Sequence, residues 1–269
     1  MTPQANHPGP LDAAAIERFV RQGVVRLDAA FPRDLAEEGR ALLWRQTGCD
    51  PDDPARWTRP VIRLGYQDGP PFAAAATAPR LTAAFDQLVG AGNWLPRTDL
   101  GTFPVRFPAP DDPGDTGWHV DPSFHLPEDD PGDFLGWRVN RVSRGRALLL
   151  LCLFSDVGLE DAPTRLRLGS HRDLARRLDP LGETGASLRD LAANGFAESA
   201  ARPEAAATGP AGTVYLCHPF LVHAGQRHRG RVPRFMAQPP LLPRRPFRLD
   251  RADPVPVERA ILEALSGEA

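Results

Sequence analysis

A chain of 269 residues can make one large domain or two small ones, and its 42% hydrophobic and 25% charged content excludes wholesale disorder. Its 32 basic and 34 acidic residues leave a formal charge of -2, which argues against a protein built to bind nucleic acid or an acidic membrane. All the basic residues are Arg, so Schiff-base lysine chemistry and a P-loop lysine are excluded.

Cys49, Cys152 and Cys217 are odd in number and far apart, with no CxxC pair, which points to a reduced, cytoplasmic setting. Met1 to Pro10 is polar and shows no signal-peptide pattern. The longest apolar run, Ala147 to Phe154, is far too short to span a bilayer.

In chain order, Leu11 to Gln22 carries apolar residues at helical spacing and ends at Gly23. A short strand, Val24 to Leu27, follows. Pro32 then opens a helix over Asp34 to Gln46 with acidic residues in its first turns. Cys49 to Ala78 is rich in Pro, Asp and Gly, with a candidate strand at Pro60 to Leu64. Arg80 to Val89 reads as a helix ended by Gly90. From there the pattern turns to strands: Thr102 to Phe107, Ala147 to Phe154, Arg165 to Leu168, Gly212 to Val222 and Pro233 to Gln238. Loops Pro108 to Gly117 and Pro127 to Gly132 interrupt them. Arg172 to Leu178 reads as a helix, Ser187 to Ala207 as an excursion on one edge, and Val257 to Leu265 as a terminal helix. Helices first and short strands afterwards indicate an α+β chain with a mainly β core rather than a βαβ alternation. No GxGxxG lies between a strand and a helix, and neither a repeat nor an interdomain linker is visible. One domain over 1–269 is expected.

Seven histidines are available: His7, His119, His125, His171, His218, His223 and His228. In the extended segment His119-Val120-Asp121, positions i and i+2 share a face, so an imidazole and a carboxylate can approach one ion from one side. His223, at the end of the apolar strand, can supply a third ligand. Two His and one carboxylate on one face of an octahedral ion leave three open positions, the arrangement of non-haem Fe(II) oxygenases. His-X-Asp alone is weak, and a surface His beside a turn Asp would look the same. Arg234 lies eleven residues after His223. A hairpin between Val222 and Arg234 would carry its guanidinium toward the metal, where it could hold the far carboxylate of a chelating keto-acid. The intervening Arg227, His228, Arg229 and Arg231 also fit a solvated basic turn.

The pieces Trp118-His119-Val120-Asp121, Ala162-Pro163-Thr164-Arg165 with Gly169-Ser170-His171, and Gly212-Thr213-Val214-Tyr215 through His223 to Arg234 resemble the phytanoyl-CoA dioxygenase family, in that family's order. Phe19 to Val25 and Asp86 to Trp94 resemble its N-terminal helices. The resemblance implies a double-stranded β-helix (a jelly roll) over about 100–245, helices over about 1–95 packed on one side, and a tail with a helix over about 246–269. It implies Fe(II), with 2-oxoglutarate and O2 as co-substrates, and hydroxylation of a small-molecule metabolite with release of succinate and CO2. Desaturation or ring formation would use the same residues. His119, Asp121 and His223 are implied as iron ligands and Arg234 as the partner of the 2-oxoglutarate C5 carboxylate. Thr164 is implied, more loosely, as a co-substrate contact. Related halogenases have Gly or Ala where this chain has Asp121, which argues against halogenation.

The chain departs from the family at Gly225, where a small hydroxyl residue is common. Its 111–117 loop is also long. If that loop forms a lid, Arg106 below it could meet an anionic substrate or the co-substrate; a structural salt bridge fits at least as well, and the 127–132 loop is a second candidate lid. His125 could line the entrance, and Trp118 and Trp137 could line the pocket or pack in the core. His171 reads as structural, His218 as facing elsewhere, and the cysteines as buried small hydrophobes. Two other readings share the His/Asp/His set. One is a non-redox jelly-roll module that binds a ligand through its metal. The other is a zinc hydrolase, for which the sequence nominates no clear general base.

Overall fold

The computed structural model describes residues 9–267, so the polar first residues and His7 lie outside the described part. Helix α1 (Ala13–Gln22) starts where the Asp12 carboxylate accepts the Ala15 amide, and it buries Phe19 and Val20. It ends at Gly23, whose φ of 77° carries the chain directly into β1 (Val24–Leu27). Next come α2 (Arg33–Thr47), β2 (Val61–Leu64), α3 (Pro70–Ala76) and α4 (Pro79–Val89). Helix α3 falls in the stretch read as Pro-, Asp- and Gly-rich. Pro70 and Pro71 stand at its first positions, where a missing N–H costs nothing, and Phe72, Ala75 and Ala76 bury its face.

The strands β3 (Phe103–Arg106), β4 (Arg138–Val139), β5 (Leu148–Leu153) and β6 (Arg165–Arg167) lead to α5 (Ser170–Leu178). The segment expected as an edge excursion holds β7 (Ala186–Ser187), α6 (Leu188–Ala192) and β8 (Glu204–Ala206). Strands β9 (Val214–Cys217), β10 (His223–Ala224), β11 (Met236–Ala237) and β12 (Pro240–Leu241) precede α7 (Pro256–Ser266).

All the strand pairs are antiparallel. In the largest sheet β9 lies between β1 and β5, and β11 and β12 share the other edge of β5. A smaller sheet runs β10-β6-β8, while β2 pairs with β3 and β4 with β7. All six residues of β5 are buried because both faces of its sheet are covered. Leu148, Leu150 and Cys152 join the core under the helices. Leu149, Leu151 and Leu153 join a second cluster with Leu166 of the small sheet, Ala207 and Leu221. Among the described residues no helix is long and apolar enough to cross a membrane.

Two expectations fail here. The apolar run Gly212 to Val222 is not one strand. It leaves the large sheet at Cys217, turns through Pro219 with the Leu221 amide on the His218 carbonyl, and re-enters as β10 in the small sheet. There is also no hairpin between Val222 and Arg234. The chain between them is pinned to a neighbouring loop, the Arg229 and Gly230 amides donating to Glu160 and the Gln226 side chain to Pro163, and it re-emerges in the other sheet.

Candidate metal centre

His119 and His223 face each other across an isolated antiparallel bridge, each amide donating to the other's carbonyl at 2.9 Å. Their ring centroids are 4.3 Å apart. The His119 Nδ1–H donates to the Gly117 carbonyl at 2.9 Å and that of His223 to Leu221 at 3.0 Å, which leaves both Nε2 atoms as free lone pairs. Between the ligand positions Val120 is fully buried in the helix-side core, so His119 and Asp121 must share the opposite face. The ligand atoms of His119, Asp121 and His223 all lie within 4.8 Å of one another, and His223 Nε2 is 3.9 Å from Asp121 Oδ1. One ion could be held by the three.

Burial opposes charge on Asp121, but Arg146, His223 and His119 together hold its carboxyl below the usual range. The Arg146 guanidinium is 3.4 Å from Asp121 Oδ2. Burial, reinforced by His119, pushes His223 down to about 4 despite Asp121, so the imidazole is neutral at neutral pH and ready to ligate.

The three residues open on a cavity of about 490 Å³ bordered also by Arg63, Arg106, Asp115 and Gln238. Arg234 arrives by a different route from the expected hairpin. Its backbone pairs with that of Arg106, amide to carbonyl at 2.8 and 3.1 Å in the two directions. Arg234 is 1% exposed, and its Nη1 donates to the Ala162 carbonyl. Burial first, and Arg106 next, push its pKa down. Arg106 donates from Nη2 to Asp115 Oδ1 at 2.7 Å, and the other oxygen of Asp115 takes Arg63 at the same distance. Arg106 therefore makes the structural salt bridge and borders the cavity as well. Nε and Nη1 of Arg106 and Nε of Arg234 are buried with no hydrogen-bond partner among the described residues. Buried guanidinium nitrogens in that condition suit an anionic acceptor such as a carboxylate.

The other candidates sit apart from the cavity's border. Thr164 is buried with its hydroxyl 4.0 Å from the Met236 sulfur. His125 and Trp137 pack on each other with centroids 5.2 Å apart, and the Trp137 indole donates to Pro131. Trp118 packs on the core under two guanidinium groups, Arg165 at 4.5 Å and Arg167 at 4.1 Å. His171 and His218 are fully enclosed and donate to the Val20 and Val257 carbonyls. Burial pushes the Cys152 thiol up to about 12 and raises Cys217 too, as suits inert core residues. The 111–117 loop is tied down by Asp115 and by Arg165 on the Thr116 carbonyl, and the 127–132 loop by Asp129 on Arg138. Arg146, Asp115 and Arg63 carried no sequence signal, since each reaches the site through a contact distant in the chain.

No protein-family profile matches the chain, and no curated protein sequence does. Solved structures do. HygX from Streptomyces hygroscopicus, with nickel, 2-oxoglutarate and hygromycin B bound, aligns with a TM-score of 0.56 at 20% identity, covering 88% of this chain and 90% of that one. The epimerase SnoN, in complex with Fe3+, α-ketoglutarate and nogalamycin RO, aligns at 0.54 and 18% over 86% and 84%. The non-haem α-ketoglutarate-dependent carbocyclase SnoK from nogalamycin biosynthesis aligns at 0.52 and 17% over 87% and 83%. At these identities the likeness is one of fold: this chain has the fold on which those iron and 2-oxoglutarate enzymes are built.

Proposed function

We propose that the protein is an Fe(II)- and 2-oxoglutarate-dependent oxygenase of the phytanoyl-CoA dioxygenase type, on a jelly-roll core, acting on a small-molecule metabolite. The observation that carries this reading is the joint placement of His119, Asp121 and His223 with an under-satisfied pair of buried arginines in one neighbourhood. His119 and His223 would hold the metal through Nε2, each ring locked by its Nδ1–H on a backbone carbonyl, and Asp121 would close the face. Arg234 would hold the far carboxylate of 2-oxoglutarate, and Thr164 remains the looser candidate for a co-substrate contact. With O2, the bound iron and 2-oxoglutarate supply the oxidising chemistry, with succinate and CO2 as products and hydroxylation as the simplest outcome. The retained Asp121 argues against halogenation. A zinc hydrolase would need a general base, and the one other carboxylate bordering the cavity, Asp115, is committed to two arginines.

The test is an anaerobic titration of metal-free protein with Fe(II) and 2-oxoglutarate, following the visible charge-transfer band. The expected band needs both additions, disappears in Asp121→Ala, and demands more 2-oxoglutarate in Arg234→Ala. No band in iron-loaded wild type would overturn the reading.

A further inference from the structure

The backbone bridge between Arg106 and Arg234 starts their side chains on one face, and the Arg106 charge acts on Arg234. Both are buried, at 5% and 1% exposure. Among the described residues, the carboxylate set against these two buried positive charges is Asp115, which is itself shared with Arg63. A single arginine would need one carboxylate; this pair, with half a share of Asp115, is short of at least one. The unpartnered Nε and Nη1 of Arg106 indicate that the deficit lies at Arg106 as much as at Arg234.

Gly225, two residues after His223, makes this arrangement possible. A Cβ there would lie 2.7 Å from Arg106 Nη2 and 2.8 Å from the Asp115 carbonyl oxygen. The guanidinium thus occupies the space that any side chain at 225 would fill, beside the strand that carries a candidate metal ligand. We infer that Arg106 is a second cation of the co-substrate seat, that it selects for a keto-acid with a distal carboxylate, and that Gly225 is the room it requires. This inference rests on the oxygenase reading.

The test compares two acids on iron-loaded, anaerobic protein by equilibrium titration of the charge-transfer band. One is 2-oxoglutarate; the other is 2-oxobutyrate, which has the same chelating keto-acid head but no distal carboxylate. In Arg106→Gln the dissociation constant for 2-oxoglutarate should rise at least tenfold while that for 2-oxobutyrate stays within about twofold, so the preference collapses. Arg106→Lys should recover part of it, and Gly225→Ala, which leaves Arg106 in the chain but displaces it, should move in the same direction as Arg106→Gln. Iron affinity and thermal melting are measured alongside. Unchanged 2-oxoglutarate binding in Arg106→Gln, or an equal loss for both acids, would overturn the inference. Should that variant not fold, Gly225→Ala decides by the same ratio. Absence of the band in wild type would instead remove the oxygenase reading itself.

Discussion

Asp121 is under opposing demands: burial favours its neutral form, whereas ligating a metal requires the carboxylate. Arg146 is the permanent countercharge that settles the contest, and it is itself buried with Nε and Nη1 free of hydrogen-bond partners among the described residues. Its service to Asp121 is therefore chiefly electrostatic. Arg146→Met, which keeps most of the side-chain volume, should weaken divalent-metal binding at the proposed site most clearly at mildly acidic pH, where Asp121 loses its countercharge against protonation. Arg146→Lys should restore part of the affinity. Competition between the protein and a chromophoric chelator for Co(II) reads both, and equal affinities across the three proteins would reduce Arg146 to packing. None of this was visible in the sequence. His119 and Asp121 were legible because strand geometry alone places i and i+2 on one face. Arg146 reaches Asp121 from 25 positions away, and Asp115 reaches Arg63 from 52, by folding that no local pattern encodes.

At the scale of elements, α1 is fastened to α5 at one glycine. Gly23 sits at φ 77°, and a Cβ there would stand 2.4 Å from Nδ1 of the fully buried His171. Left-handed backbone costs a residue with a Cβ about 1–2 kcal/mol, and forcing an atom into a packed core about 1–3 more. Gly23→Ala should thus lose about 2–5 kcal/mol of unfolding free energy, read as a lower urea midpoint at an unchanged slope. The same glycine marked the end of the helix in the sequence, because a helix stop and a positive φ share one cause. The apolar run of β5 was legible for a related reason: its length fits a strand buried on both faces. The run Gly212 to Val222 misled because it is buried throughout, its polar Thr213 and His218 included, while its register breaks at Pro219. Burial patterns report that a segment is inside and do not report which sheet receives it. Helix α3 went unread since its two prolines and four alanines show no helical periodicity; its packing beneath α2 supplies the reason to form.

For the molecule as a whole, the join between α1, α5, α7 and the exit of β9 is built on two neutral histidines. His171 and His218 pack against each other at a 46° tilt with centroids 5.0 Å apart, and each spends one N–H on a carbonyl, of Val20 and Val257 respectively. The Phe220 amide donates to Nδ1 of His218, which fixes that ring as an acceptor on its other side and leaves it no room for a second proton. Burial pushes His171 from 6.5 down to about 3, and His218 well below its ordinary value. In both cases the folded pKa lies beneath the unfolded one, so below pH 6.5 the unfolded chain binds more protons. Stability is then full above about pH 6.5 and declines as pH falls toward the folded value, by up to ~1.4 kcal/mol per pH unit for each histidine. Between pH 6.5 and 5, above most of the carboxylate range, His171 alone should lose about 2 kcal/mol, and His218 adds a loss of the same sign, a sizeable part of the 5–15 kcal/mol that holds a typical domain. In metal-free protein His223 adds a contribution of the same sign. The comparison is therefore made at one fixed metal state, between wild type and His171→Gln, which can still donate toward Val20. Urea unfolding at pH 7.5 and 5.0 should show a clearly smaller loss in the variant. Equal losses in the two proteins would mean that His171 takes its proton without opening the join.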